Sequence, residues 1–505
     1  MGLITRLWVR HLKRLSKSFN DQRETLMKVA VFGQTLYSGV MAALLAECGH
    51  QVFWCDILKR LASEQAYTQD DAVINLLHKQ EKSGFLQYCN FNAIPLDIDA
   101  YFFSLSPTEE SQGIEILKEL KQRPIIHPKL MINASTLGLH GTEKFEKILS
   151  DDDWVYLPDV IQEGNALQSL VQAKQLTVGC SSETSQIKIR ELLRPLFPRE
   201  QQYLFMPVLD AEFTKLSVSG MLATRISYIN DLAVVAEKLG IDIEHVRQGL
   251  AADSRIGASY LYPGAGFGGE NFSHDVLTLA NTVSGTGAKS QLLAQVWDIN
   301  EQQKEILFRK LWNYYHGDLA GKVVAIWGAS FKENTSRIQQ SPIHAMLKAL
   351  WAQNMVVKLH DPQALAEIEK HYGHREDLIY CTDQYEAVEG AHALCLLTAW
   401  KQYWSPNYPE LLKKMQHPLI LDGRNIYDPC YVKAQGLSGS RAMKHQNKPY
   451  PVEDINTAIA RLQGLKDHFE QHHLNDLFAD DSTRFEQLSV VLDPIIFDFS
   501  KHRID

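Results

Sequence analysis

Residues Asp253 to Val276 read DSRIGASYLYPGAGFGGENFSHDV, and the fold is read outward from this stretch. Gly257, Gly264, Gly266, Gly268, Gly269 and Pro263 crowd into it. Such density lets backbone approach another surface closely or take φ > 0, neither of which a plain solvent loop requires. Composition alone allows an equally simple reading, a glycine-rich connector between two domains. The order and spacing of motifs elsewhere in the chain decide between the two.

The 505-residue chain is 45% hydrophobic and 22% charged, with a formal net charge of -9. Because single cores stop growing near about 250–300 residues, roughly three domains are expected. The composition is that of a soluble globular protein, and the negative balance argues against nucleic-acid binding. The seven cysteines (Cys48, Cys55, Cys89, Cys180, Cys381, Cys395, Cys430) contain no CxxC pair, which predicts a reducing, cytoplasmic setting and no metal site. No apolar run reaches the roughly 18 residues of a membrane-spanning helix.

Upstream of the glycine-rich stretch, MKVAVF at residues 27–32 reads as a strand, followed by a helical pattern through Val40, Met41, Leu44 and Leu45. A second strand, Gln51 to Cys55, runs into Asp56. This is a βαβ opening with an acid about twenty residues past the turn, the arrangement that holds a dinucleotide ribose. Where the fingerprint has G-x-G-x-x-G, the chain offers Gly33, Thr35 and Ser38. A Cβ at Thr35 sits where backbone meets a pyrophosphate, so affinity for NAD suffers there. Strand-like runs recur at residues 100–105 and 130–134 around a helical stretch near 114–121, predicting a parallel sheet with crossover helices. Residues 211–239 predict a long helix, with Phe213, Leu216, Met221, Leu222, Ile226, Ile229 and Leu232 on a 3.6-residue period.

Downstream, KVVAIWGASFKENTSRIQQSP from Lys322 opens a second mononucleotide-like unit, completed by VVKLHDP. Past Ser440, residues 451–474 suit a helix, Asp480 to Thr483 a linker, and LSVVLDPIIFDF an apolar tail that covers a neighbouring surface or a protein partner. At the other end, Arg6, Arg10, Lys13, Arg14 and Lys17 oppose Ile4, Leu7, Trp8, Leu12 and Leu15. A basic amphipathic helix can lie on an anionic membrane. The simpler account is an extension from an early start codon, since Met27 directly precedes the first strand.

The glycine-rich stretch resembles the signature of the UDP-glucose/GDP-mannose dehydrogenase family, D-S-R-I-G followed by P-G-x-G-F-G-G-S-C-F-P-K-D. Asp253 to Gly257, Pro263, Gly264, Gly266, Phe267, Gly268, Gly269, Phe272 and Asp275 match, while Asn271 stands at the catalytic cysteine and Glu270, Ser273 and His274 replace its neighbours. Further motifs resemble the family in order. Ser135, Thr136, Gly141 and Thr142 fit its nicotinamide loop with one residue extra between them, and Pro158-Asp159 to Glu163-Gly164 fit P-E-F-L-R-E-G. Lys215 lies 56 positions before Asn271, the family's spacing, but Ser219 stands at the family's asparagine. Gly328, Phe331, Lys332, Asn334, Thr335, Ser341, Pro342 and Asp422-Gly423-Arg424 fit its UDP-binding domain, where Ser336 and Arg337 replace two acids and Gln339 an arginine.

The resemblance implies an α/β fold of two Rossmann-like doubly wound domains joined by a long central helix. The implied boundaries are a basic extension (1–26), an NAD-binding-like domain (27–205), a central helical dimerisation domain (206–305), a UDP-sugar-binding-like domain (306–440) and a C-terminal extension (441–505). It also implies site roles. Thr136, Asp159, Glu163, Lys215, Ser219, Asn271 and Asp275 fall at the reacting centre, with Lys215 and Ser219 at the developing oxyanion and Asp159 near the attacking water. Gly33, Thr35, Ser38 and Asp56 fall at NAD, and Arg255, Gly266, Gly268, Lys332 and Arg424 at the nucleotide sugar, Arg255 reaching across a homodimer. An asparagine amide cannot form the thiohemiacetal and thioester through which the family oxidises a C6 alcohol to an acid. Two readings follow. One is a pseudoenzyme or nucleotide-sugar-binding protein; the other is an active oxidoreductase limited to the two-electron alcohol/aldehyde step.

Overall fold

In a computed structural model the chain is described at residues 26–55, 70–124, 129–441, 489–492 and 495–498. It divides into two compact units, residues 1–445 and 446–505. The expected N-terminal helix, Asp56, the helix at 451–474 and the linker at 480–483 lie outside the described residues.

The first unit contains two sheets. β1 (Lys28–Phe32), β2 (Gln51–Cys55), β3 (Leu86–Cys89), β4 (Ala100–Phe103), β5 (Leu130–Asn133), β6 (Asp153–Tyr156), β7 (Leu176–Cys180) and β8 (Tyr203–Met206) build the first, in the order β3-β2-β1-β4-β5-β6-β7-β8. All neighbours are parallel except β6 and β7. Successive residues of β1 point to opposite faces, and both faces are covered: Val29 and Val31 enter one apolar cluster, Ala30 and Phe32 another. That double burial is why KVAVF is a continuous apolar run and not an alternating one. α1 (Leu36–Glu47) follows β1 and is buried almost all round. α2 (Asp71–Ser83) and α3 (Glu110–Gln122) supply the next crossovers, while α4 (Gly141–Glu146), α5 (Ala166–Val171) and α6 (Glu183–Leu193) complete this half.

The second sheet is wholly parallel, in the order β11-β10-β9-β12-β13-β14. Its strands are β9 (Val323–Trp327), β10 (Val356–His360), β11 (Leu378–Tyr380), β12 (Ala393–Leu396), β13 (Leu419–Asp422) and β14 (Ser438–Arg441). β9 repeats the logic of β1, sending Val324 and Ile326 to one cluster and Ala325 and Trp327 to the other. The fold is thus two doubly wound α/β halves.

Between them runs α7 (Val208–Leu239), 32 residues long, or about 48 Å at 1.5 Å per residue. Gly240 stops it in a left-handed cap with φ 70°. The expectation of one large-residue apolar face is corrected here. Leu216 and Ile229 are buried, but Phe213 and Met221 are 46% and 63% exposed. Small residues instead make the buried stripe, including Ala211, Gly220, Ala223, Ser227, Ala233 and Ala236, because α9 (Glu270–Gly285) and α10 (Leu292–Lys304) pack closely on that side. The Ser227 hydroxyl donates to the Val296 carbonyl of α10 at 2.7 Å. α8 (Ile243–Ala252) links α7 to the glycine-rich loop. No helix among the described residues is long and apolar enough to cross a membrane.

Of the second unit, β15 (Ser489–Leu492) and β16 (Ile495–Asp498) are described and pair antiparallel. The apolar tail is therefore a two-stranded ribbon.

Candidate active site

The glycine-rich loop runs from the end of α8 to the start of α9, strung between α7, α10 and the second sheet. Arg225 of α7 donates to the carbonyls of Ser259, Ile256 and Gly257, each at 2.9 Å. Asn230 accepts from the Gly264 amide at 2.9 Å, and Asn300 of α10 accepts from the Phe267 amide at 2.7 Å. On the opposite side the Ala265 amide donates to Gly423 and the Gly269 amide to Gln339, both at 2.9 Å. The contacts on the two sides each require a glycine, Gly266 against Asn300 and Gly268 against Gln340. Gly266 has φ +88°, and a Cβ on Gly268 would lie 2.6 Å from the Gln340 carbonyl oxygen. The loop is a close-packed wall, so the connector reading falls.

That wall closes a cavity of about 660 Å³, bordered also by Asp159, Glu163, Lys215, Asn271, Lys332 and Arg424. A larger groove of about 1070 Å³ lies on the other side of α9. Three lysines and three glutamates line it, and none of the expected site residues borders it; the candidate site is the smaller cavity.

Lys215 and Ser219 sit on adjacent turns of α7, as their spacing of four predicts, and converge on Asp275 of α9. The Ser219 hydroxyl donates to Asp275 Oδ2 at 2.8 Å, and Lys215 Nζ lies 3.4 Å from the same oxygen. Ser219 is buried and does not border the 660 Å³ cavity. Asp275 is also buried, whereas Lys215 retains a partly open side chain. Thr136 joins them at a small adjoining recess that also touches Asp159, Lys215 and Asp275. Asp159 follows β6 deep in the cleft, although part of it faces the open cavity. Burial pushes its carboxyl up to about 6, against the opposing pull of Lys215. Burial likewise raises Glu163, which pairs with Arg337 at 3.2 Å.

Lys332 borders the cavity from the second sheet. Arg424 borders it too, but its guanidinium is committed to backbone, donating to the Leu397 carbonyl and to the Phe331 carbonyl at 3.2 Å. Arg255 is not brought to the cavity. Its side chain is 87% exposed and paired with Asp253.

The turn after β1 meets the cavity through Leu36 and Tyr37, while Gly33, Thr35 and Ser38 do not border it. Gly33 has φ +108° and presses on the Ser104 carbonyl, so the first glycine of the fingerprint keeps its structural task. Thr35 caps α1: its hydroxyl accepts from the Ser38 amide at 3.1 Å and bonds the Ser104 hydroxyl. The Ser38 hydroxyl donates to the carbonyls of Gly33 and Thr35 at 3.0 and 2.7 Å. An amide at the head of α1, of the kind that receives a dinucleotide's pyrophosphate, is already satisfied. The residues at this turn fit NAD poorly.

Sequence reading missed the aromatic lining. Tyr37, Tyr260, Tyr262 and Trp404 all border the cavity. Tyr260 and Tyr262 lie inside the decisive stretch itself, and aromatics beside glycines were an available signal. Tyr37 was hidden as a variable position of the fingerprint. Its hydroxyl is buried without a partner among the described residues, and burial followed by the nearby Asp159 charge raises its pKa.

Two regions match known family domains: residues 209–302 the central domain, and residues 325–429 the UDP-binding domain, of the UDP-glucose/GDP-mannose dehydrogenase family. The chain is similar to the UDP-glucose 6-dehydrogenase of Pseudomonas aeruginosa, at 30% identity over 438 residues, 81% of this chain and 96% of that protein. It is similar to UDP-glucose 6-dehydrogenase TuaD of Bacillus subtilis, at 27% over 432 residues, covering 81% and 92%. In fold it is similar to a UDP-glucose dehydrogenase from Pyrobaculum islandicum, with a TM-score of 0.75 at 21% identity, over 84% of this chain and 99% of that one.

Proposed function

The chain belongs to the UDP-glucose/GDP-mannose dehydrogenase family, and from that premise we propose that it binds a UDP-linked sugar without carrying the C6 alcohol through to the acid. The observation that carries this reading is Asn271. It borders the same cavity as Lys215 and Asp159, and none of the seven cysteines borders that cavity. A carboxamide nitrogen is delocalised into its carbonyl and is no nucleophile; it can donate or accept a hydrogen bond and so hold a sugar hydroxyl. Lys332, on the UDP-domain side of the cavity, provides a cation for phosphate.

NAD binds weakly in this reading, because the head of α1 is capped by its own Thr35. The working form is a cytoplasmic homodimer through α7, whose Phe213, Val218, Met221 and Tyr228 remain exposed apolar surface in the single chain. The tail ribbon serves a protein partner. Calorimetric titration with UDP-glucose tests the binding claim: saturable heat that is weakened in Lys332→Ala supports it, and no heat with the parent protein overturns it.

A second reading is favoured by the convergence of Lys215, Asp159 and Asp275. A charged lysine beside the reacting oxygen, with a carboxyl titrating near neutrality, suits the two-electron alcohol/aldehyde step. Trapping with a hydrazine separates the two readings, since only the second yields a trapped aldehyde.

A further inference from the structure

The register of the first sheet brings together two cysteines that the sequence keeps far apart. Cys55 ends β2, Cys89 ends β3, and the parallel pairing sets them directly opposite one another. Neighbouring strands run about 4.8 Å apart, within the Cα separation of roughly 4.4–6.8 Å that a disulfide spans. Both side chains belong to the same face of the sheet, where Cys89 packs against the cluster that contains Cys55. Neither residue is in a disulfide; Cys55 is buried and Cys89 keeps part of its surface open.

We infer that Cys55 and Cys89 form an oxidative modification site, a dithiol that hydrogen peroxide converts to a disulfide. The partly open thiol reacts first. Cys89 sulfur attacks one peroxide oxygen, the O–O bond breaks, and water leaves with the thiol proton, giving the sulfenic acid. The Cys55 sulfur then displaces that hydroxyl, its proton departing in a second water, and the S–S bond forms. Two thiols lose two electrons, and one peroxide gains them.

The surroundings favour this order. The Cys89 thiol is held below its ordinary value by a hydrogen bond with Cys55 and, against the effect of burial, by the nearby Arg123 guanidinium. Arg123 is fixed there, lying over the Phe91 ring at 4.9 Å and donating to the Ile94 carbonyl at 2.9 Å. Burial instead pushes up the thiols of Cys48, Cys180, Cys381 and Cys395, which makes them poor nucleophiles.

The test uses the full chain, reduced and then exposed to hydrogen peroxide. Remaining thiols are alkylated, and the digest is read by mass spectrometry without reductant. The expected product is one joined pair of peptides containing Cys55 and Cys89, lighter by the two thiol hydrogens and separated again by dithiothreitol. Exposed Cys430 serves as the internal control for a solitary thiol. In Cys55→Ser the join disappears and Cys89 proceeds to sulfinic acid. Alkylation of Cys89 without any join to Cys55, or its passage to sulfinic acid in the unaltered chain while Cys55 stays reduced, overturns the inference.

Discussion

In the proposed reading an amide at position 271 holds a sugar hydroxyl and cannot hold its aldehyde covalently, and the residues around it fit that division. Ser219 spends its hydroxyl on Asp275 at 2.8 Å and does not border the smaller cavity, where Lys215 is the cation that α7 contributes. Asp159 gives this arrangement a pH signature. Its folded pKa, about 6, lies above the ordinary carboxylate value, so the folded chain holds the proton more tightly than the unfolded one. The stabilisation is fully present below about pH 4 and is lost as pH rises through about 6. Calorimetric unfolding of the parent and Asp159→Asn across that window should show the parent losing stability relative to the variant. Parallel curves would mean that Asp159 is not buried as described. A second expectation concerns the turn. Thr35→Gly with Ser38→Gly should tighten NAD, measured by titration calorimetry, at a stability loss on the order of 1 kcal/mol from the lost cap and the glycine placed within α1. Tight NAD binding by the unaltered protein would contradict the reading of this turn.

At the scale of elements, the strands were the easiest feature to read. β1, β2, β4 and β5 are apolar runs because both sheet faces are covered, and within the decisive stretch Gly268 marks where backbone meets Gln340. The faces of α7 were not legible. A 3.6-residue period locates apolar side chains on a helix but cannot tell a face that packs through alanine and glycine from one that keeps Phe213 and Met221 outside. The pairing of Cys55 with Cys89 was equally hidden, since register is not written in either strand alone. The contact of Glu163 with Arg337 was likewise out of reach, since it joins loops of two different sheets. Their side chains are 22% and 30% exposed, so a double-mutant cycle with Glu163→Gln and Arg337→Gln should give a coupling of about 0.5–1 kcal/mol. Strict additivity in thermal unfolding would show that the pair does not hold the halves together.

For the whole molecule, the two units carry separate expectations. Deletion after Asp480 removes the tail ribbon, and the unit at residues 1–445 should keep its thermal transition; aggregation of the truncated chain would show the tail to be part of its core. In sedimentation equilibrium the proposed homodimer predicts twice the 57.4 kDa chain mass for the parent and the single-chain mass for Met221→Lys; a monomeric parent would contradict the dimer, and a dimeric variant would contradict its placement on α7. The motifs for two nucleotide folds were legible in order along the chain because each is a local strand–turn–helix signal. The convergence of their side chains on one cavity was not, because it depends on how α7 sets the two sheets against each other. What the assembled site does is decided most directly by incubating the purified full-length protein with UDP-glucose and NAD and following UDP-glucuronate by mass spectrometry. The expected result is no acid, with Asn271→Cys alone also inactive. Acid formed by the unaltered protein at an ordinary enzymatic rate, about 1–10³ per second, would contradict the role given to Asn271.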